Sequence, residues 1–297
     1  MHHLSRLRHV SPVLARNMQT RFCPTFFLGA ISVQHPNFSL AIGNGPIVAA
    51  ALHAGHQLRS EVEAEITLCP TDRLREEDPY TDRWTQFSPT RLVVHTSRFQ
   101  VDLNRPRGSA VYRTPADAWG LQVWRDRCPD GILQRSRAEY DSFYGMAERV
   151  FDDLARRYGR FVVYDLHTYN HRRNGPNAPP SPQNENPDVN LGTGSLDRSY
   201  WAPLVHAFTG ALPSPDSGQT LDVRENVKFQ GGHFARWVHA KYPHIGCVLS
   251  IEVKKTFMDE WTGVADPAQV TLIRDSLAAT VDPVLRVLHS VYNAQSA

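Results

Sequence analysis

Two histidine-bearing segments of this 297-residue chain hold the clearest chemistry. In His53-Ala54-Gly55-His56, two imidazoles are separated by two residues, so a turn or a first helical turn can aim both at one ion. In the second segment, the apolar run Phe161-Val162-Val163-Tyr164 ends in Asp165-Leu166-His167-Thr168. It reads as a buried strand that delivers an aspartate and a histidine to a strand end, where α/β proteins build their sites. Neutral imidazoles are common zinc ligands, and a catalytic zinc keeps one position open for water. Zinc lowers the pKa of that water to about 7, which produces a nucleophile at neutral pH. Asp165 lies two residues before His167 and shares its strand face, where it can orient the ring as a hydrogen-bond acceptor.

Other polar residues can complete such a site. Asp78 and Asp82 lie in the acidic run Glu76-Glu77-Asp78-Pro79-Tyr80-Thr81-Asp82. This run is either a solvated loop or the source of a further metal ligand, with Asp78 replacing His56 or joining it. Glu252 is the one carboxylate in the apolar strand Cys247–Val253. Either it faces solvent, or it stands near the metal as a general base that takes a proton from water and returns it to the leaving amine. Asn104-Arg105 follows a short apolar stretch, and a guanidinium there suits bidentate recognition of a carboxylate. Arg98 and Arg236 are candidates for the same role.

The elements around these residues are legible in outline. Phe38–Leu52 reads as β structure with a Gly43-Asn44-Gly45-Pro46 turn inside it, ending at His53. Arg91–Val94 and Phe99–Leu103 read as short strands. Ser136–Tyr158 carries apolar residues at helical spacing, with Gly159 where a C-cap belongs. The strand Phe161–Leu166 follows, completing an α/β unit. Residues 169–190 form a long loop rich in Asn and Pro, beyond the roughly 12 to 15 residues of ordinary connections. Helices are expected over Leu196–Ala211 and from Gly231-Gly232 to Lys241, and a buried strand over Ile245–Val253. Asp266-Pro267 caps a terminal helix that Pro283 kinks or splits. Residues 1–37 are poorly patterned, and 38–297 read as a single α/β domain.

Composition narrows the function class. Hydrophobic residues make up 41%, enough for a sizeable core, and no apolar stretch reaches the roughly 18 to 20 residues of a transmembrane helix. A net charge of +2 is too small to argue for nucleic-acid or membrane affinity, and neither partner is expected. Cys23, Cys69, Cys128 and Cys247 form no CxxC pair, so a cysteine-based zinc site is not expected and reduced thiols in the cytoplasm are. No Asp or Glu precedes Glu61, while Arg6, Arg8, Arg16 and Arg21 populate the start. That pattern fits an organelle transit peptide or a ragged N-terminal extension.

Taken in order, these motifs resemble the N-formylglutamate amidohydrolase family. They are His53-Ala-Gly, the acidic segment Asp78 to Asp82, Ser97-Arg98-Phe-Gln-Val-Asp102-Leu-Asn104-Arg105, Asp165-Leu-His167, Lys228-Phe-Gln-Gly231-Gly232 with Arg236, and Ile251-Glu252. The resemblance runs from about His53 to Glu260. More distantly the chain is similar to the zinc carboxypeptidases, in which a His-x-x-Glu pair and a later strand-end His bind zinc. The resemblance implies one zinc ion on His53 and His167, Glu252 as general base, and a substrate carboxylate held by Asn104 and Arg105 with Arg98 or Arg236. It also implies a three-layer α/β/α fold with a mixed sheet. Two departures stand out. His56 occupies the place of the carboxypeptidase Glu, which leaves His56 or Asp78 as the remaining ligand. Asp165-Leu166-His167-Thr168 replaces the family's usual Asp-Cys-His-Ser, and the Asn/Pro loop beside it points to a substrate other than N-formylglutamate itself. The expected activity is zinc-dependent hydrolysis of an N-acyl amino acid or small peptide with a free carboxylate. A metallocarboxypeptidase, or an inactive carboxylate-binding module on the same fold, is the alternative.

Overall fold

The structure, a computed structural model, describes residues 31–212 and 221–293. In chain order its strands are β1 (Ile31–His35), β2 (Phe38–Ile42), β3 (Ile47–Ala51), β4 (Thr90–Val94), β5 (Phe161–Tyr169), β6 (Val189–Gly192), β7 (Val223–Glu225) and β8 (Gly246–Lys254). The α-helices are α1 (Ser60–Glu65), α2 (Pro70–Glu76), α3 (Thr81–Trp84), α4 (Asp130–Tyr158), α5 (Ala202–Ala211), α6 (His233–Lys241), α7 (Pro267–Ala279) and α8 (Val281–Val287).

The strands form one mixed sheet in the order β1-β2-β4-β3-β5-β8-β6-β7. Its centre, β4-β3-β5-β8, is parallel, and β2 and β6 join it antiparallel on either side. All nine residues of β5 are buried, because helices cover both faces. Alternation along the central strands then feeds two separate cores. Val48, Ala50, Phe161, Val163 and Val248 pack under α4 and α6. Ile47, Ala49, Val162, Tyr164 and Leu249 pack under α5, α7 and α8. The result is the three-layer α/β/α arrangement with a mixed sheet.

β4 lies on one side of β3 and β5 on the other. This reversal opens a crevice at the carboxyl ends of the parallel strands, the usual ligand position in such sheets. His53 follows β3, His167 closes β5 and Glu252 lies near the end of β8, so adjacent strands bring all three to that edge.

Several expectations need correction. Phe99–Leu103 is not a strand. Phe99, Val101 and Leu103 are buried, but the backbone is tied locally, with Gln100 N–H donating to Ser97 O and Asp102 N–H to Ala110 O. The apolar alternation there builds a wall of the site instead of a sheet edge. Residues 1–30 lie outside the described residues. Ile31–His35, which the pattern assigned to the N-terminal extension, pairs with β2. α4 starts at Asp130 instead of Ser136, since its first turns bury Ile132 in a smaller apolar cluster with Phe99, Tyr112 and Trp124. α5 starts at Ala202 instead of Leu196. The terminal helix breaks at Thr280, ahead of Pro283, which sits in the first turn of α8 where a missing N–H costs nothing. Gly159 does cap α4 with φ 74°, and Asp266 accepts from the N–H groups of Ala268 and Gln269.

Candidate metal centre and active site

Buried polar groups converge at the carboxyl edge of the sheet. His53 Nδ1 lies 3.2 Å and His167 Nδ1 3.0 Å from the same oxygen of Asp78. All three residues are buried, and one ligand atom from each falls within 4.8 Å of the others. The far side of each ring meets a second carboxylate. His53 Nε2 is 2.8 Å from Asp102 Oδ1, and His167 Nε2 is 2.9 Å from Asp165 Oδ1. A carboxylate can only accept, so without an ion both nitrogens of each ring face acceptors; an ion bound between the two Nδ1 atoms and Asp78 would replace the Nδ1 protons and leave Nε2–H on Asp102 and Asp165. This pairing of carboxylate and imidazole is the outer support that metal-bound histidines use. The donor set therefore fits a divalent ion bound by two imidazole nitrogens and a carboxylate.

The electrostatics follow from this packing. Burial works to raise the Asp78 carboxyl, but the hydrogen bonds and charges of His167 and His53 outweigh it and hold the group well below the usual carboxylate range. Burial likewise opposes the Asp102 anion, and the Arg98 guanidinium and His53 overcome it. His167 is held well above the ordinary imidazole range against the opposing burial, chiefly by Asp165 and then Asp78.

Asp78 is positioned by backbone contacts around it. Its N–H donates to His53 O at 2.9 Å, and Thr168 Oγ1 donates to its second oxygen at 2.9 Å. Lys255, buried beyond the end of β8, donates to the carbonyls of Arg75 and Glu77 at 2.6 and 2.8 Å and so ties down the segment leading into Asp78. Burial depresses the Lys255 ammonium.

His56 is not part of the cluster. Its side chain is 40% exposed and bonds to buried Glu77, with Arg73 behind it. The tight packing of Gly55 against the backbone of His95 turns His56 away from His53, since a Cβ on Gly55 would lie 2.1 Å from a backbone carbon. Asp82 is exposed on α3.

A cavity of about 240 Å³ opens over the cluster, and His53, Asp78, His167 and Glu252 all line it. Glu252 is paired in register with His167 across β5 and β8, so the two share a face of the sheet. Its carboxyl has no hydrogen-bond or ion-pair partner among the described residues. Burial pushes it up to about 8, with the His167 charge opposing and Asp78 adding to the rise.

The expected carboxylate binders divide. Arg98 and Asn104 line the cavity, and Arg105 and Arg236 do not. Arg98 donates to Tyr112 Oη at 2.9 Å, Glu76 O at 3.1 Å and Asp102 Oδ2 at 2.8 Å. Three of about five guanidinium N–H groups are thus used, which leaves two for a ligand. Arg105 is spent on Asp117 O and the Tyr112 ring, and Arg236 donates to Gly231 O. Asn104 has a second duty. Its Oδ1 accepts from Phe234 N–H at 3.0 Å and so caps α6, and its Nδ2 faces the His167 ring. Gly232 makes that fit possible, because a Cβ there would lie 2.0 Å from Asn104 Oδ1.

Sequence reasoning did not single out Asp102, Tyr112, Lys255, Arg75, Arg173 or Asn170, all of which line or support the cavity. A signal existed for Asp102 alone, an acid placed between the apolar residues Val101 and Leu103.

A family model described as N-formylglutamate amidohydrolase matches residues 45–258, a span that contains the whole cluster and Glu252. The chain belongs to the N-formylglutamate amidohydrolase family. Members of the family are hydrolases of C–N amide bonds. A curated relative, the N-formylglutamate deformylase of Pseudomonas aeruginosa, is 24% identical over 233 residues, covering 73% of this chain and 84% of that protein. Among solved structures, the N-formylglutamate amidohydrolase of Ralstonia eutropha superposes with a TM-score of 0.65 at 20% identity, over 86% of this chain and 99% of that one. The gene product Atu2144 of Agrobacterium tumefaciens gives a TM-score of 0.58 at 15% identity, over 82% and 92%. At these identities the superpositions establish the shared fold. No helix among the described residues is long and apolar enough to cross a membrane.

Proposed function

We propose that this chain is a metal-dependent amidohydrolase that cleaves the C–N bond of a small N-acyl amino acid bearing a free carboxylate. The observation that carries this reading is the convergence of His53 Nδ1, His167 Nδ1 and Asp78 in one cavity with Glu252, each imidazole backed by its own carboxylate. A zinc ion held by His53, Asp78 and His167 would polarise the scissile carbonyl and acidify water. Glu252 takes the proton of the attacking water and passes it to the departing nitrogen. Burial raises this carboxyl and the charge of a bound zinc would oppose that rise, which favours a group that can both take and return a proton. Arg98 directs its two remaining N–H groups at the substrate carboxylate, and Asn104 Nδ2 adds a donor beside them. Binding energy from that carboxylate places the reacting bond. A cavity of about 240 Å³ supports an amino-acid-sized substrate over a polypeptide end. With Cys69, Cys128 and Cys247 unpaired among the described residues, we place the protein in a reducing compartment such as the cytoplasm.

Metal analysis and kinetics on N-acyl amino acids test this. The purified protein is expected to hold one zinc per chain and to lose hydrolysis on chelation. Glu252→Gln should keep the metal and lose about 10²- to 10⁴-fold in kcat. A metal-free protein with full activity, or an unimpaired Glu252→Gln, would contradict the proposal.

A further inference from the structure

One wall of the cavity carries a buried acceptor with nothing to accept. Asn170, immediately after β5, is 7% exposed and lines the cavity. Its Nδ2 donates to Glu76 Oε1 at 3.4 Å, and its Oδ1 has no hydrogen-bond partner among the described residues. Turning the amide over would set Oδ1 against the Glu76 carboxylate, acceptor against acceptor, so the orientation follows from chemistry. Buried amide oxygens are almost always paired, and an exception calls for an explanation. The residue is also held firmly. The N–H groups of His171 and Arg172 donate to buried Glu260 at 2.9 and 3.0 Å, and Trp261 Nε1 donates to Arg172 O at 3.0 Å.

The surroundings restrict what can satisfy this oxygen. Arg173 donates to Glu76 Oε2 at 3.0 Å, and Arg75 lies 3.6 Å from Glu76 and 3.4 Å from Asp72. Three cations, Arg75, Arg173 and Lys255, thus face three carboxylates, Glu76, Asp72 and Glu260, and the Lys255 ammonium is spent on two carbonyls, so this end of the cavity has little net charge to offer an anion. A fitting group donates a hydrogen bond to Asn170, accepts one from Arg75 or Arg173 and is itself uncharged. A carboxamide does all three, whereas a carboxylate brings a second acceptor to Asn170 Oδ1. The contacts Thr168 to Asp78 and Asn170 to Glu76 run side by side, two residues apart in both segments. Asn170 therefore lies one double strand step, about 7 Å, beyond Thr168, the residue that holds Asp78. That is comparable to the reach of an extended glutamine side chain from a carbonyl beside the metal centre.

We propose that Asn170, with Arg75 and Arg173, forms a side-chain subsite that selects a carboxamide. The preferred substrates are then N-acyl derivatives of glutamine-like residues over those of glutamate. The assignment rests on the hydrolase reading above for which bond is cleaved, and its test reads binding alone.

Calorimetric titration of the zinc-loaded Glu252→Gln protein with N-formyl-L-glutamine and N-formyl-L-glutamate measures the preference without turnover. The glutamine derivative is expected to bind at least about 10-fold tighter, because a buried acceptor left unpaired penalises the wrong ligand. Asn170→Leu, and the milder Asn170→Ser, in the same background should bring the two ligands within about 3-fold. Both variants should bind N-formyl-L-norvaline as the parent does, which separates a lost subsite from a damaged fold. Equal or tighter binding of the glutamate derivative, binding of neither, or a preference that survives both variants would overturn the proposal. Absence of hydrolysis by the wild-type protein would instead count against the functional reading and leave this comparison intact.

Discussion

At the residue scale, Asp102 and Asp165 decide what the two imidazoles can do. Each accepts a hydrogen bond from Nε2, so an ion would have to displace only the proton on Nδ1. Asp102→Asn keeps the shape but can present an N–H to His53 Nε2, which drives the ring toward the wrong tautomer. Zinc affinity, measured by competition with a chelating dye, should fall about 10- to 100-fold. Unchanged affinity would show that Asp102 serves only to neutralise Arg98. His53, His167 and Glu252 were legible in the sequence because each ends or interrupts an apolar strand where a polar side chain demands a reason. The competition between His56 and Asp78 was not legible. The HxxH spacing ignores the turn at Gly55, which sends His56 to Glu77, and the link between His53 O and Asp78 N–H spans 25 residues of chain. Asn170 gave no signal at all. An Asn in an Asn/Pro-rich loop is ordinarily solvated, and only Glu76 and Glu260, far away in sequence, bury this one.

At the element scale, the site is the carboxyl edge of β3, β5 and β8. α4, β5 and β8 were readable because periodicity and length agree, and Gly159 punctuates them. Phe99–Leu103 was misread because two-residue alternation reports burial on one side whether or not a strand partner exists. β6 and β7, four and three residues long, are too short to leave a pattern. One junction carries a pH dependence. Gly192 of β6 pairs with Ser250, and beyond that point His239 of α6 takes over, accepting the Val248 N–H at Nε2 at 2.9 Å. Its Nδ1 therefore carries the proton and donates to Ser195 Oγ at 2.8 Å. Burial lowers His239 to about 4, and the hydrogen bond to Ser195 and the charge of Asp165 offset this only in part. A depressed folded-state pKa means that the unfolded chain binds the proton more tightly. The contribution is complete above the unfolded value near 6.5 and is lost as pH falls toward 4. Between pH 7.5 and pH 5 the loss is about 2 kcal/mol. Urea unfolding of wild type and His239→Gln at the two pH values should show this difference shrinking in the variant. An identical pH dependence in both would contradict the assignment.

At the scale of the whole molecule, two helical layers share one sheet, and each central strand feeds both cores. The fold class was legible from the α/β alternation and the motif order. The short helices α1 to α3 were not, since four to seven residues are too few to show an amphipathic face. Sharing the sheet should make unfolding cooperative across the layers. Phe208 on α5 is fully buried and packs edge-on against Tyr164 of β5. Phe208→Ala should cost about 3–5 kcal/mol and shift a single transition, seen alike by tryptophan fluorescence and far-ultraviolet circular dichroism. Two separated transitions would show that the layers unfold independently. The same sheet sets the distance between His53, just after β3, and His167, on β5, and so makes the metal centre a property of the fold. Anomalous difference density from crystals soaked in zinc, collected at the zinc absorption edge, tests that centre most directly. One peak per chain is expected, within bonding distance of His53 Nδ1, His167 Nδ1 and an Asp78 oxygen. A principal peak between His56 and Glu77, or no peak at the strand ends, would contradict it.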